Sequence, residues 1–296
     1  MSLRPSAARL TRFAGVLVIT SLPCALSFSP FASFFQHPAA RLSPTLTKAS
    51  PPISLRAARH MSHSSLLQMK NPNTDSENLL KDAKWPDEFP FTDADFSRQD
   101  ETDDVEFYES PRLCYHIDDK AVAALTAYYA ENIKEGSDIL DICSSWVSHF
   151  PEDFPERMGR RVGLGMNQLE LKANEQLSEY VVANLNAAPK LAFEDASFDV
   201  VTCVVSVDYL ARPLEVFKEV ARVLRPGGLF LLSQSNRCFP TKAIRIWLQT
   251  NDLEHVFIVG SYFHFAGGFG APAAFDISPQ GLLYSDPLFI IQAPKL

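Results

Sequence analysis

The chain has 296 residues, 46% hydrophobic and 21% charged, which is enough apolar matter for a full core and excludes disorder throughout. Beyond the N-terminal tail it holds no run of about 18 apolar residues, which excludes a multi-span membrane protein. The net charge of −8 is unevenly spread: residues 1–70 carry +8, residues 71–110 carry −10 and residues 111–296 carry −6, so the body is acidic and a poor electrostatic match for nucleic acid.

Residues 1–70 contain no Asp or Glu. They open with a basic MSLRPSAARLTR, continue through the apolar FAGVLVITSLPCALS and reach FSPFASFF, the pattern of a secretory signal. The Ser-, Pro- and Arg-bearing stretch that follows, as far as Lys70, reads as a transit peptide. Together they resemble the bipartite plastid presequence of algae with secondary plastids; a single mitochondrial or plastid presequence, or a secretory signal anchor, is the alternative. Either way the segment stands outside the fold, and the mature chain is expected to carry no stable membrane span. Residues 71–110 read as an acidic, extended lead-in that pins itself with Trp85, Phe89, Phe91 and Phe96. Five scattered Cys make no CxxC pair, as expected of a reduced compartment, and the seven His form no HxH or HxxxH pair, so no metal is expected.

From Pro111 the chain forms one domain, 111–296, in which strand-like runs alternate with helix-period stretches. The spacing predicts a helix over Asp118–Ile133, strands at Ser137–Ile142 and Arg161–Leu164, a helix at Gln168–Tyr180 and a strand at Val181–Leu185. Phe198–Val207 is apolar enough for a central strand covered on both faces. Pro213–Leu224 reads as a helix, Leu229–Ser233 as a strand and Thr241–Leu248 as a helix, with strands at His255–Ser261 and Leu288–Gln292. Gly267, Gly268 and Gly270 read first as a plain glycine-rich loop between the last two strands, with a mobile flap as the alternative. The fold class is therefore α/β, a doubly wound seven-stranded sheet. Ligands of such sheets sit beyond the carboxyl ends of the strands, which points to 143–148, 165–167, 184–186 and 206–209.

The block LAFEDASFDVVTCVVSVDYLARPLEVFKEVARVLRPGGLFLLS resembles class I S-adenosylmethionine-dependent methyltransferases, especially the type 11 group. Its most specific pieces are Ser197-Phe198-Asp199 and the run Arg222–Gly228, and Asp286-Pro287-Leu288 is similar to the start of the family's antiparallel last strand. The resemblance implies a mostly parallel Rossmann-like sheet, S-adenosyl-L-methionine as cofactor and a methyltransferase activity. Three family positions are altered. Asp141 is kept after the first strand, but Cys143, Ser145 and Val147 stand where glycines let the backbone approach the cofactor. The family's ribose-binding carboxylate falls on Gly165, with Asn167 or Glu170 as nearby substitutes, and its adenine-binding Asp falls on Asn184, whose amide oxygen can still accept a hydrogen bond.

The cofactor residues expected on this basis are Asp141, Cys143, Ser144, Ser145, Trp146, Met166, Asn167, Asn184, Leu185 and Ser206. Trp146 is equally readable as a plug on the sheet, Met166 as core, and Cys143 with Cys203 as small apolar residues rather than nucleophiles. His116 and Tyr209 are the weak catalytic candidates, and Arg112, Asp208 and Arg237 the substrate candidates. The expected acceptor is a small molecule rather than a nucleic acid, since no aromatic-basic platform is present. A methyltransferase fold that has lost turnover and serves as a binding or assembly protein is the competing reading. A nicotinamide oxidoreductase lacks its GxGxxG.

Overall fold

The structure, a computed structural model, describes residues 77–280 and 284–296; the presequence read at 1–70 and the start of the lead-in lie outside the described residues. In chain order it runs α1 (Asp104–Phe107), α2 (Asp119–Asn132), β1 (Ile139–Ile142), α3 (Phe154–Arg157), β2 (Arg161–Gly165), α4 (Gln168–Ala173), β3 (Glu179–Val182) and β4 (Phe198–Val204). Then follow α5 (Pro213–Val223), β5 (Leu224–Gln234), α6 (Arg245–Leu248), α7 (Asp252–Ala266), β6 (Ala273–Asp276) and β7 (Phe289–Pro294). The strands form one sheet in the order β3-β2-β1-β4-β5-β7-β6, parallel from β3 to β5, with β7 antiparallel to both its neighbours. The order reverses between β1 and β4, where a doubly wound sheet leaves a crevice.

Period-2 alternation assigns the two faces. Phe230, Leu232 and Ile291 join one core with α5, α7 and the lead-in aromatics Trp85, Phe89, Phe91 and Phe96. Val200, Leu231 and Ile290 join the other, beneath α2 and α3. The lead-in is therefore part of the fold. A Cβ on Gly260 of α7 would meet Trp85 Cη2 at 2.7 Å and Leu80 Cδ1 at 2.8 Å, so that glycine is what lets the lead-in dock. Some of its acidic residues are paired with the body of the fold. Asp104 is 5% exposed and pairs with Arg98 at 2.6 Å and with Lys242 at 3.2 Å, and Lys242 itself is 1% exposed. Among the described residues no helix is long and apolar enough to cross a membrane.

Three element assignments need correction. The run His255–Ser261 lies inside α7; a short apolar run carries the same pattern in a strand and in an all-round buried helix, and here the Asn251 cap with Glu254 three residues on starts a helix. The sixth strand is Ala273–Asp276 instead, so the glycines precede it: Gly267, at φ 73, ends α7 and Phe269 bridges to Lys295. The helix expected over Gln168–Tyr180 stops at Ala173, and β3 starts earlier than expected, at Glu179. Asn174 and Gln176 leave the helix because their side chains are spent on the loop after β1: Asn174 Nδ2 donates to Ser145 O and Ser148 Oγ, and Gln176 binds the backbone of Ser148 and Phe150. Of Thr241–Leu248 only Arg245–Leu248 is helical.

Candidate active site

A cavity of about 140 Å³ opens at the carboxyl ends of β1, β2, β3 and β4, under the segment that precedes α2. The loop after β1 reaches it without glycine. Cys143 takes φ 54, in the left-handed region that a glycine would occupy at little cost, and the loop turns that way again at His149, φ 57. Val147 is not among the residues at positive φ, so the β-branched side chain carries no such strain. Val205, at the end of β4, sits at φ 38. Cys143, His149 and Val205 all line the cavity, which concentrates backbone strain where the surrounding structure holds it in place.

Asp141 lies at the floor of the cavity, 3% exposed. Its carboxylate accepts from Ser144 Oγ and Ser148 Oγ on one oxygen and Thr202 Oγ1 on the other, each at 2.7 Å. Burial pushes its pKa up to about 6 against the pull of those three hydroxyls. The second altered position has a steric cause. A Cβ on Gly165 would run into the backbone carbonyl oxygen of Ser144, so the loop itself fills the space beyond β2. A carboxylate arrives from α4 instead: Glu170, 7% exposed, lines the cavity, accepts from Arg112 N at 2.6 Å and from Ser145 Oγ at 2.7 Å, and has no counter-ion among the described residues.

Cys143, Ser144, Ser145, Trp146, Met166, Asn167, Asn184, Leu185 and Ser206 all line the same cavity, but three of them are committed elsewhere. Asn184 Oδ1 accepts from the backbone N–H of Asn186 and Ala187, so the oxygen expected to face an adenine caps its own turn. Asn167 caps α4 through Leu169 N and Glu170 N, and its Nδ2 donates to the carbonyls of Tyr108 and Glu109. It is a clamp between α4 and the upstream segment. Asn167→Ala is expected to cost about 1–2 kcal/mol in urea unfolding, near the value of a lost cap, and to speed proteolysis around Tyr108. Ser206 Oγ donates to Val204 O. Trp146 both lines the cavity and plugs it: its Nε1 donates to Cys114 O, and Tyr115 stacks on its indole at 5.3 Å.

Among the catalytic and substrate candidates, His116, Tyr209, Arg112 and Arg237 line the cavity, whereas Asp208 does not. Asp208 is buried behind it, and desolvation raises its pKa well above the carboxylate range, so it is no exposed substrate group. Tyr209 OH accepts from Phe239 N, and Arg237 is paired with Asp286 at 2.8 Å. Burial lowers the pKa of His116 to about 4, helped by the Arg112 charge, which leaves a neutral imidazole at neutral pH. His149, also lining the cavity, is likewise lowered to about 4, and its Nδ1 has no hydrogen-bond partner among the described residues. The sequence reading ended the loop at Ser148 and missed it; the only signal was a His one residue further on.

The family model described as a methyltransferase domain (type 11) matches residues 153–232. The chain is 28% identical over 109 residues to a malonyl-[acyl-carrier protein] O-methyltransferase of Marinomonas sp., a match covering 34% of this chain and 39% of that protein. It is 30% identical over 115 residues to a demethylmenaquinone methyltransferase of Bacillus cereus, covering 36% and 48%. The matched stretch thus spans less than half of either relative. Among solved structures, the [4+2]-cyclase SpnF overlaps 58% of this chain and 80% of its own at 15% identity and a TM-score of 0.44. A putative methyltransferase of Bacillus halodurans overlaps 60% and 98% at 16% identity and 0.39. The match to the type 11 methyltransferase domain runs from α3 into β5, and the strand order 3-2-1-4-5-7-6 around it is that of the class I methyltransferase Rossmann-like fold.

Proposed function

We propose that the chain transfers the methyl group of S-adenosylmethionine to a small-molecule acceptor in this cavity. One observation carries the reading: the hollow beside Asp141 stays open at the switch point although the loop around it has lost its glycines. The residues fit the cofactor. Met166 and Leu185 offer apolar walls to a base, and Glu170 brings a carboxylate with spare lone pairs to the side where Gly165 has none for ribose hydroxyls. A scaffold without turnover would rest on the lost glycines and the missing ribose carboxylate; the open hollow speaks to the first and the Glu170 carboxylate to the second.

When bound, the cofactor supplies an electrophilic methyl group on a sulfonium. The chain supplies position and dryness. Tyr108 and Trp146 close over the strand ends, burial keeps Tyr108 and Tyr209 protonated, and Glu170 and Asn167 fix the upstream segment in place. Holding the reactants in line is where transfer of this kind gains most of its rate. The names of the relatives, which concern a quinone and a carrier-bound acid, support a metabolite as acceptor. Thermal unfolding of the full chain with S-adenosylmethionine and its demethylated product tests the reading. Stabilisation is expected to grow with ligand, reaching about 2.7 kcal/mol at a hundred times Kd. No shift at millimolar ligand removes the proposal.

A further inference from the structure

Four cationic side chains line the cavity, and three already have acidic partners. Arg98 and Lys242 share Asp104, and Arg237 holds Asp286. Arg112 has none among the described residues. Its Nη2 donates to Phe107 O at 3.1 Å, whereas Nη1 is buried with no hydrogen-bond partner among the described residues. The guanidinium carbon lies over two rings, 4.5 Å from the centroid of Phe107 and 5.2 Å from that of Phe239, and the backbone N–H of Arg112 donates to Glu170. A buried N–H left unmade is costly, and a guanidinium packed against aromatic rings with one amino group vacant matches one oxygen of a carboxylate.

We propose that Arg112 anchors a carboxylate of the methyl acceptor, so that the acceptor is an organic acid that enters the cavity as its anion. The neutral imidazoles of His116 and His149 offer hydrogen bonds but no competing positive charge, which leaves Arg112 as the only unpaired cation lining the cavity among the described residues. The inference rests on the methyltransferase reading for its cofactor. The same chemistry could serve a second source of carboxylate, the amino-acid end of the cofactor itself.

Calorimetry on the full chain separates the two. The titrants are S-adenosylhomocysteine, 5′-methylthioadenosine, which lacks the amino-acid end, and benzoate added to protein saturated with S-adenosylhomocysteine. Benzoate is expected to bind the unaltered chain, to lose at least about tenfold in affinity in Arg112→Met and to recover in part in Arg112→Lys. S-adenosylhomocysteine is expected to bind Arg112→Met and the unaltered chain alike. The proposal is overturned if benzoate fails to bind, or if it binds both chains equally. It is also overturned if Arg112→Met weakens S-adenosylhomocysteine but not 5′-methylthioadenosine, since the guanidinium then belongs to the cofactor. If S-adenosylhomocysteine does not bind the unaltered chain, the methyltransferase reading falls, and benzoate titrated alone against the same three chains still decides the role of Arg112. Comparison of the melting curves of the two variants separates loss of binding from loss of fold.

Discussion

Gly165→Asp, which on paper restores the family's ribose carboxylate, is expected to destabilise the chain by about 3–5 kcal/mol and to weaken cofactor binding rather than improve it. The reason is the packing of two loops. The Ser144 carbonyl occupies the place of any side chain at residue 165, and Leu171 Cδ2 lies 3.2 Å from a Cβ built there, so the chain has nowhere to yield without unmaking the loop after β1. That loop is tied from three directions, by Asp141 to Ser144 and Ser148, by Asn174 to Ser145 and Ser148, and by Gln176 to Ser148 and Phe150. Gly165→Ala tests the steric part alone and is expected to cost about 2 kcal/mol in the same urea experiment. If Gly165→Asp unfolds like the unaltered chain and binds S-adenosylhomocysteine more tightly, the loop is soft and the two altered positions are independent.

The same coupling explains what the sequence disclosed and what it hid. The sheet was legible because β1, β2, β4 and β5 are apolar runs broken by strong turn signals, and because the block from Leu191 to Ser233 carries the family's spacing. His255–Ser261 misread as a strand because a helix buried on nearly all sides loses the period that separates the two. The altered loop was legible as a departure but not as a geometry: nothing in Cys143 announces a positive φ, and the reason for Gly165 lies in a carbonyl 21 residues earlier in the chain. Asn184 and Asn167 have the right residue types for ligand contacts, yet local backbone N–H groups claim their oxygens, a competition inherent in short polar side chains near turns. Arg112 and His116 were found because a charged and a titratable group preceding the first helix stood out; His149 was not, since its exposure to the cavity depends on the strained backbone that turns it inward.

Asp141→Asn is expected to raise stability at neutral pH while lowering affinity for S-adenosylhomocysteine. The folded-state pKa of Asp141, about 6, stands above its ordinary value of 3.8. Between those two values the folded chain keeps a proton that the unfolded chain has released, so the folded state binds more protons and stability falls as pH rises. The contribution is complete below about pH 4 and gone above about pH 6, and a gap of roughly two pH units corresponds to about 3 kcal/mol. The amide cannot ionise, so the variant is expected to show a flatter stability profile from pH 4 to 6. The hydroxyls of Ser144, Ser148 and Thr202 can turn to accept from its nitrogen as well as donate to its oxygen. Asp141→Ala, by contrast, leaves three buried hydroxyls without an acceptor and is expected to lose about 3 kcal/mol. A variant that gains stability and loses binding identifies a carboxylate retained for its charge at the strand end, against the interest of the fold. A variant that loses stability at neutral pH, with binding unchanged, makes Asp141 a strut of the loop and leaves the charge without a role in the site.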